Sequence, residues 1–336
     1  MSPSLTRDVR RLLGPADPAD GRPLTAAPGR RADLDRILAT PQLRQARPAG
    51  RRLVAVAAAL VLLVIAGLQF APQPRPAFAA TPPPLQYTAA AGSAREVLTG
   101  IADRAATASD PARSGDYEHL VIRSWSLWTY VDDERVTSAI IPSRTESWRG
   151  SDNSGRRSTS YEKAQFTSLG REVLWRAQNL FDDGLDPWSQ EYAAGQFGAM
   201  WADQPPIGDL DRWLHIGHPR ENGPFETLVA VTDLARERLL TPATRSGLLR
   251  IVAQLPGLTY DGTVTDRAGR AGAAFSITSD RTGLPTRHTL IVDPATGALL
   301  GYEQMLPTDT GKLDVRAPAV IGYETYLTAD YTTLPK

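Results

Sequence analysis

The sequence contains no cysteine, only three methionines and only four histidines among its 336 residues. Without thiols, disulfide bonds, thiolate catalysis and cysteine-ligated zinc are all excluded. The G-x-S-x-G motif, the phosphate loop and the dinucleotide-binding fingerprint are also absent from the chain. These absences leave few routes to catalysis, so we expect neither an enzymatic activity nor a bound cofactor.

Basic and acidic residues are unevenly distributed along the chain. The whole chain carries 37 basic and 37 acidic residues, but residues 1–52 hold eleven Arg and five Asp, a formal charge of +6. Residues 53–336 are left with 26 basic and 32 acidic side chains, a formal charge of −6. A net acidic C-terminal part argues against nucleic acid as a partner, because binding to phosphates depends on Lys and Arg.

An uncharged hydrophobic run of eighteen residues extends from Leu53 to Phe70. At about 1.5 Å per residue a helix of that length covers roughly 27 Å, close to the thickness of a bilayer core of about 30 Å. Arg51 and Arg52 precede the run, and flanking positive charge stays in the cytoplasm. The sequence therefore predicts a single-pass protein of the cell membrane, with its N-terminus cytoplasmic and its C-terminal domain extracytoplasmic.

Two other interpretations of this run are open. Ala77-Phe78-Ala79 matches the A-x-A pattern of a signal-peptidase site, which would release the C-terminal part after Ala79. The run is longer than a usual signal core and follows a long leader, which favours a retained anchor. A buried core helix is the third interpretation, but a segment that is apolar on every face suits lipid better.

These features divide the chain into four segments. Residues 1–52 are predicted to be a largely irregular cytoplasmic segment, and residues 53–70 a transmembrane helix. Residues 71–86 are rich in proline, which favours an extended spacer. Residues 87–336 are predicted to form the extracytoplasmic domain.

Local patterns predict both helices and strands in this domain. Ser93 and Glu96 have the spacing of a capping box, and Thr241-Pro242 supplies an N-cap followed by proline at the first helical position. His119 to Val131 is rich in β-branched and aromatic residues, as strands are. Arg135 to Trp148 and a third segment through Phe166 continue the strand pattern. Five further strand-length runs lie nearer the C-terminus: Leu258 to Thr265, Ala271 to Thr278, Pro285 to Val292, Ala298 to Leu306 and Val320 to Leu327. The predicted fold class is α+β: one N-terminal transmembrane helix, then an extracytoplasmic, half-barrel-like antiparallel sheet with packed helices.

No metal site is predicted. His215 and His218 have a spacing that would place both imidazoles on one face of a helix, as some metal sites require. Gly217 and Pro219 argue against a helix there, and no third ligand lies nearby in sequence. The acidic clusters Asp182-Asp183 and Asp132-Asp133-Glu134 lack the ligand spacing of a calcium loop.

All seven tryptophans lie between residues 125 and 213. One interpretation is ordinary core packing. The other is a concave apolar face that accepts a lipid chain or a partner's peptide, because clustered aromatic rings give a large contact area. The candidate ligand-binding residues on that second interpretation are Trp125, Trp128 and Trp148.

Several motifs resemble those of an uncharacterised actinobacterial family of single-pass membrane proteins: Pro-Pro-Pro-Leu at 82–85, Leu-Pro-Gly-Leu at 255–258, Asp-Arg-Ala-Gly-Arg at 266–270 and the segment from Ile291 to Gly301. Genes of this family are often found beside those for extracytoplasmic-function sigma factors, which implies a role in envelope signalling. The order of elements is also similar in architecture to the half barrels of lipoprotein carriers and anti-sigma regulators. No catalytic residues are attached to either group.

The sequence thus leads to two functional hypotheses. The first is a non-catalytic, membrane-anchored sensing or binding protein in envelope signalling linked to a sigma factor, with a regulator bound by residues 1–52. The second is a lipid or lipoprotein carrier-like protein with a Trp-lined apolar face.

Overall fold

The computed structural model describes residues 81–132, 135–166, 169–177, 185–198, 201, 203, 205–313 and 315–335. The predicted cytoplasmic segment 1–52, the hydrophobic run 53–70 and the Ala77-Phe78-Ala79 pattern lie outside the described residues, as does most of the spacer 71–86. What the sequence predicts for those segments stays a prediction.

Ten strands are found in the described part of the chain. They are β1 (Tyr87–Thr88), β2 (Tyr117–Asp132), β3 (Arg135–Arg149), β4 (Gly155–Tyr161), β5 (Trp188–Tyr192), β6 (Thr259–Thr265), β7 (Ala271–Ser279), β8 (Thr286–Val292), β9 (Leu299–Leu306) and β10 (Ala319–Thr332). All pair antiparallel in one sheet, in the order β1-β6-β7-β8-β9-β10-β2-β3-β4-β5. The last strand therefore lies near the middle of the sheet and joins two meanders.

The residues of the turn between β8 and β9 explain why the chain forms a hairpin there. Asp293 accepts a hydrogen bond from the backbone N–H of Ala295 (2.8 Å), and Gly297 has a φ of +65°, which favours glycine. A Cβ on Gly297 would also lie only 2.7 Å from the Cβ of Ala105. The β8–β9 turn is thus fixed by its own sequence and by the helix packed against it.

Five α-helices accompany the sheet over the same residues. They are α1 (Ala94–Ala106), α2 (Leu169–Ala177), α3 (Leu210–Leu214), α4 (Phe225–Glu237) and α5 (Pro242–Val252). The capping box at the start of α1 is present, with Ser93 and Glu96 bonded in both directions. Thr241 caps α5 as predicted, with proline at the first position.

The main core lies between α1, α4, α5 and one face of the sheet, which we term the inner face. Leu98, Ile101, Leu228, Phe275 and Leu290 are all fully buried there. Full burial of one such side chain contributes about 1.5–3 kcal/mol to the stability of the folded state. A smaller cluster on the opposite, outer face packs the segment before β1 against the sheet through Leu85, Val264, Ala274, Ile291 and Leu300. This burial fixes which face each strand residue occupies.

The predicted fold class is wrong. In place of an α+β half barrel, the described chain has one continuous ten-stranded antiparallel sheet with few helices. None of the described helices has the length and apolar character needed to cross a membrane. The sequence patterns marked separate runs of strands, but the pairing of β10 with both β2 and β9 merges these runs into one sheet.

Candidate functional site

A cavity of about 730 Å³ lies between α4 and the inner face of the sheet. Its walls come from α4, the short 3-10 helix Arg220–Asn222, strands β8 to β10 and two connecting loops. The lining residues are Glu221, Asn222, Phe225, Glu226, Val229, Arg281, Thr282, Leu284, Thr286, His288, Gln304, Leu306, Leu313 and Ile321. Ligand pockets in proteins typically enclose about 300–1,000 Å³.

Strand periodicity explains which β8 and β9 residues line this cavity. Successive strand residues point to opposite faces, so Thr286, His288 and the core residue Leu290 share the inner face. His288 pairs directly with Gln304 on β9, which places both side chains side by side. The sheet therefore supplies polar groups at the floor of the cavity, whereas Phe225 and Val229 of α4 supply apolar groups opposite them.

His288 is the most constrained polar residue of the cavity. It is 2% exposed, and the Phe225 ring stacks on its imidazole with a centroid distance of 4.7 Å. Burial lowers the pKa of His288 to about 4, with Glu226 opposing the shift weakly. The imidazole is therefore neutral at pH 7.

The hydrogen bonds around His288 assign its tautomer. The amide of Gln304 donates to the hydroxyl oxygen of Tyr302 (3.3 Å), and the Tyr302 hydroxyl lies 2.7 Å from Nδ1 of His288. We assign the tautomer in which the Tyr302 hydroxyl, which already accepts from Gln304, donates its own proton to Nδ1. On this assignment the imidazole proton resides on Nε2; with either tautomer, Nε2 is buried and has no hydrogen-bond partner within the described residues.

The rim of the cavity is polar. Arg281, in the loop after β7, donates from Nε to the carbonyl of Asn222 (3.3 Å) and from Nη2 to the carbonyl of Glu221. Glu226 accepts from Nδ1 of His218 (2.8 Å) and from the Asn222 amide (3.1 Å). Both charged groups therefore already make hydrogen bonds with the protein and hold the 3-10 helix against the sheet.

The two histidines considered for metal binding have other partners. The two ring nitrogens of His215 lie 2.7 Å from the carbonyl of Asp211 and 3.0 Å from the hydroxyl of Thr227. His218 lies between Glu226 and Asp233, which face opposite sides of its ring. No group of three or more His, Asp or Glu residues in the described ranges converges as a metal site would require.

The three candidate tryptophans lie on two faces of the sheet. Trp125 stacks on Tyr323 (5.8 Å) on the outer face, where Trp148 stacks on His119 (5.2 Å). Trp128 is 39% exposed and shares the inner face with Ile122, six residues earlier on β2. None of the three lines the cavity described above, and their role in ligand binding stays a prediction.

His288 is one of the four histidines of the sequence, but no sequence pattern gave it a role, and none singled out Phe225. No local pattern marks either residue, because they are 63 positions apart and meet only through the packing of α4 on the sheet. An isolated His on an alternating strand could have been noted as a buried polar residue, but not as part of a cavity.

By its architecture the described chain is an antiparallel-sheet protein with a helix layer on one face and a cavity, open to solvent, between the two layers. Comparisons with known protein families, with curated proteins and with solved structures found no match. The resemblance to an actinobacterial family therefore stays a prediction from the motifs alone.

Proposed function

We propose that this domain binds, without catalysis, an apolar ligand that carries a hydrogen-bond acceptor, and that it does so in the cavity between α4 and the sheet. The observation that supports this proposal is the buried, unpartnered Nε2 of His288, a residue that lines the cavity of about 730 Å³. A buried donor without an acceptor costs about 1–3 kcal/mol. Nε2 is sealed beneath the surface of the cavity, so a ligand group would have to displace the Phe225 ring to accept the hydrogen bond of Nε2 and remove that cost.

The side chains that line the cavity indicate the chemical character of the rest of the ligand. Six lining side chains are apolar: Phe225, Val229, Leu284, Leu306, Leu313 and Ile321. Their burial of a hydrocarbon chain would be favourable by about 25 cal/mol per Å² of apolar surface. A neutral imidazole carries no charge that would attract an anion, so an ester or amide carbonyl is a more suitable acceptor than a carboxylate. The ligand class is therefore an acyl amphiphile.

The first prediction concerns occupancy of this cavity. Val229→Trp should fill the space opposite His288 and weaken binding of a dansyl-labelled fatty-acid methyl ester at least tenfold, which corresponds to about 1.4 kcal/mol. Dansyl fluorescence on titration of the full chain in mild detergent measures the affinity. Val173→Trp is the matched control, because Val173 is 57% exposed on α2 and outside the cavity. Equal binding by both variants, or no binding by the unaltered protein, would contradict the proposal.

A role in envelope signalling is proposed on the sequence alone. Here the ligand-binding domain lies outside the membrane, residues 53–70 anchor it and residues 1–52 contact a transcription regulator. The supports are the Arg-rich leader, the hydrophobic run and the motifs that resemble a family encoded beside sigma factors.

A second prediction tests that role. The tagged full chain, solubilised from its native cells, should retain a sigma factor or another regulator that a chain lacking residues 1–52 does not retain. Mass spectrometry of the two eluates measures the difference. If both chains recover the same proteins, the leader is not the regulator-binding segment. That result would leave the ligand-binding proposal intact.

A carrier function is the alternative that the apolar cavity walls favour. A carrier transfers its ligand from one membrane to another, whereas a sensor retains its ligand. Vesicles that contain a fluorescent acyl lipid, mixed with unlabelled vesicles, distinguish the two, since a carrier speeds transfer in proportion to its concentration. The Val229→Trp variant serves here as the inactive control.

A further inference from the structure

Arg245, in the first turns of α5, is a buried cation without a counter-charge. It is only 9% exposed, and its Nη1 donates to the carbonyl of Leu240 (3.2 Å). Its buried Nε has no hydrogen-bond partner, and it forms no ion pair with any carboxylate in the residues that the structure describes. Buried charges in proteins are normally paired, because burying an isolated ion costs several kcal/mol.

The acidic residues that influence Arg245 do not neutralise it. Burial lowers the pKa of Arg245, and the attractions of Asp293 and Asp110 only oppose this effect. The carboxylate of Asp293 is held within its own turn, where it accepts from the Ala295 N–H and from the Thr296 hydroxyl, each at 2.8 Å. Asp110 is exposed in the segment that follows α1.

A small cavity of about 50 Å³ adjoins Arg245. Its other walls are uncharged and come from β2, β9, β10 and the residues before α5, among them Leu120, Leu240, Leu299 and Tyr326. A bound water needs about 10–15 Å³ on the same kind of measure, so the space suffices for a monatomic anion or a carboxylate group but not for a long chain.

The start of α5 adds positive potential at the same place. The Arg245 side chain reaches back to the carbonyl of Leu240, just before the N-cap Thr241, so its guanidinium lies at the N-terminal end of this eleven-residue helix. The N-terminus of a helix carries about half a positive elementary charge and favours anions.

We propose that the cavity beside Arg245 binds a small monoanion, either a halide or a carboxylate group, which serves as the missing counter-ion of the guanidinium. The anion accepts a hydrogen bond from the guanidinium and links α5 to β2 and β10. The site is independent of the proposed acyl cavity, because none of its lining residues belongs to that cavity.

Thermal unfolding of the full chain in mild detergent tests this site. At constant ionic strength, replacing sulfate with bromide or acetate should raise the midpoint by about 3–5 °C relative to the same exchange in Arg245→Met, when the anion is at ten times its dissociation constant. The variant serves as the reference because sulfate itself stabilises folded proteins in general. Arg250→Met, on the exposed side of the same helix, should retain this rise. A rise that is equal in all three proteins is a general salt effect and would overturn the proposal.

The pattern of anions identifies the source. A rise with bromide and acetate assigns the site to any small monoanion, and a rise with acetate alone assigns it to a ligand carboxylate. No rise with either would refute the site. Should Arg245→Met fail to fold, anomalous diffraction from bromide-soaked crystals of the unaltered protein decides: the peak should lie in this cavity, within hydrogen-bonding distance of the Arg245 guanidinium, and its absence there rejects the proposal.

Discussion

Glu118→Gln is expected to lower the free energy of unfolding by about 3–5 kcal/mol. Glu118 and Arg238 are 6% and 3% exposed, and they form a bidentate ion pair. Arg238 donates from Nη2 to Oε1 of Glu118 (2.7 Å) and from Nε to Oε2 (3.0 Å). The same carboxylate accepts from the backbone N–H of Leu239 (2.9 Å). Glutamine would remove the carboxylate charge that pairs with the buried Arg238 guanidinium. Urea unfolding at pH 7 measures the difference.

Two controls separate this effect from a general loss of charge. Glu172→Gln removes a carboxylate from an exposed pair with Arg176 on α2 and should change stability by no more than about 0.5 kcal/mol. The double variant Glu118→Leu with Arg238→Met removes both buried charges and should recover much of the loss. If Glu118→Gln proves as mild as Glu172→Gln, the pair does not hold β2 to the end of α4.

The second large effect is a pH dependence that originates at His288. Its pKa is about 4 in the folded protein against 6.5 for the ordinary residue. As pH falls below 6.5 the unfolded chain binds a proton that the folded protein does not, so stability decreases until about pH 4. The shift of about 2.5 units, at 1.36 kcal/mol per unit, gives a loss of about 3 kcal/mol.

Variants that cannot titrate isolate this contribution. His288→Gln and His288→Phe should both abolish the part of the pH dependence between pH 6.5 and 4, while the contributions of other groups remain. Unfolding free energies measured at several pH values for the three proteins give the difference. A variant curve parallel to that of the unaltered protein would show that His288 is not buried in its neutral form.

Local features of the fold could be predicted from the sequence. The caps at Ser93 and Thr241 and the turn that begins at Asp293 depend on contacts within four or five residues, and all three are present. Strand β5 was missed, because its residues Trp188–Tyr192 are mostly exposed and show no alternation. It forms because β4 offers it an unpaired edge.

The surroundings of the tryptophans could not be predicted from the local sequence. Their number suggested one aromatic face, but the partners of Trp125 and Trp148 are single rings from other parts of the chain, Tyr323 and His119. Strand alternation alone separates Trp125 from Trp128 onto opposite faces. The local sequence does not show which face the helices cover, because this depends on the packing of α4 on the sheet.

By itself, the sequence determined the absence of thiol chemistry, the caps and turns, the contrast between a basic leader and an acidic remainder, and the hydrophobic run from Leu53 to Phe70. Composition and contacts between near neighbours fix these features. Only the tertiary structure decided that the strands form one sheet, that Phe225 meets His288 and that Arg245 is buried without a counter-ion. Each depends on contacts between distant segments, such as the pairing of Trp125 with Tyr323, 198 residues later, which burial and strand register select and local sequence does not encode.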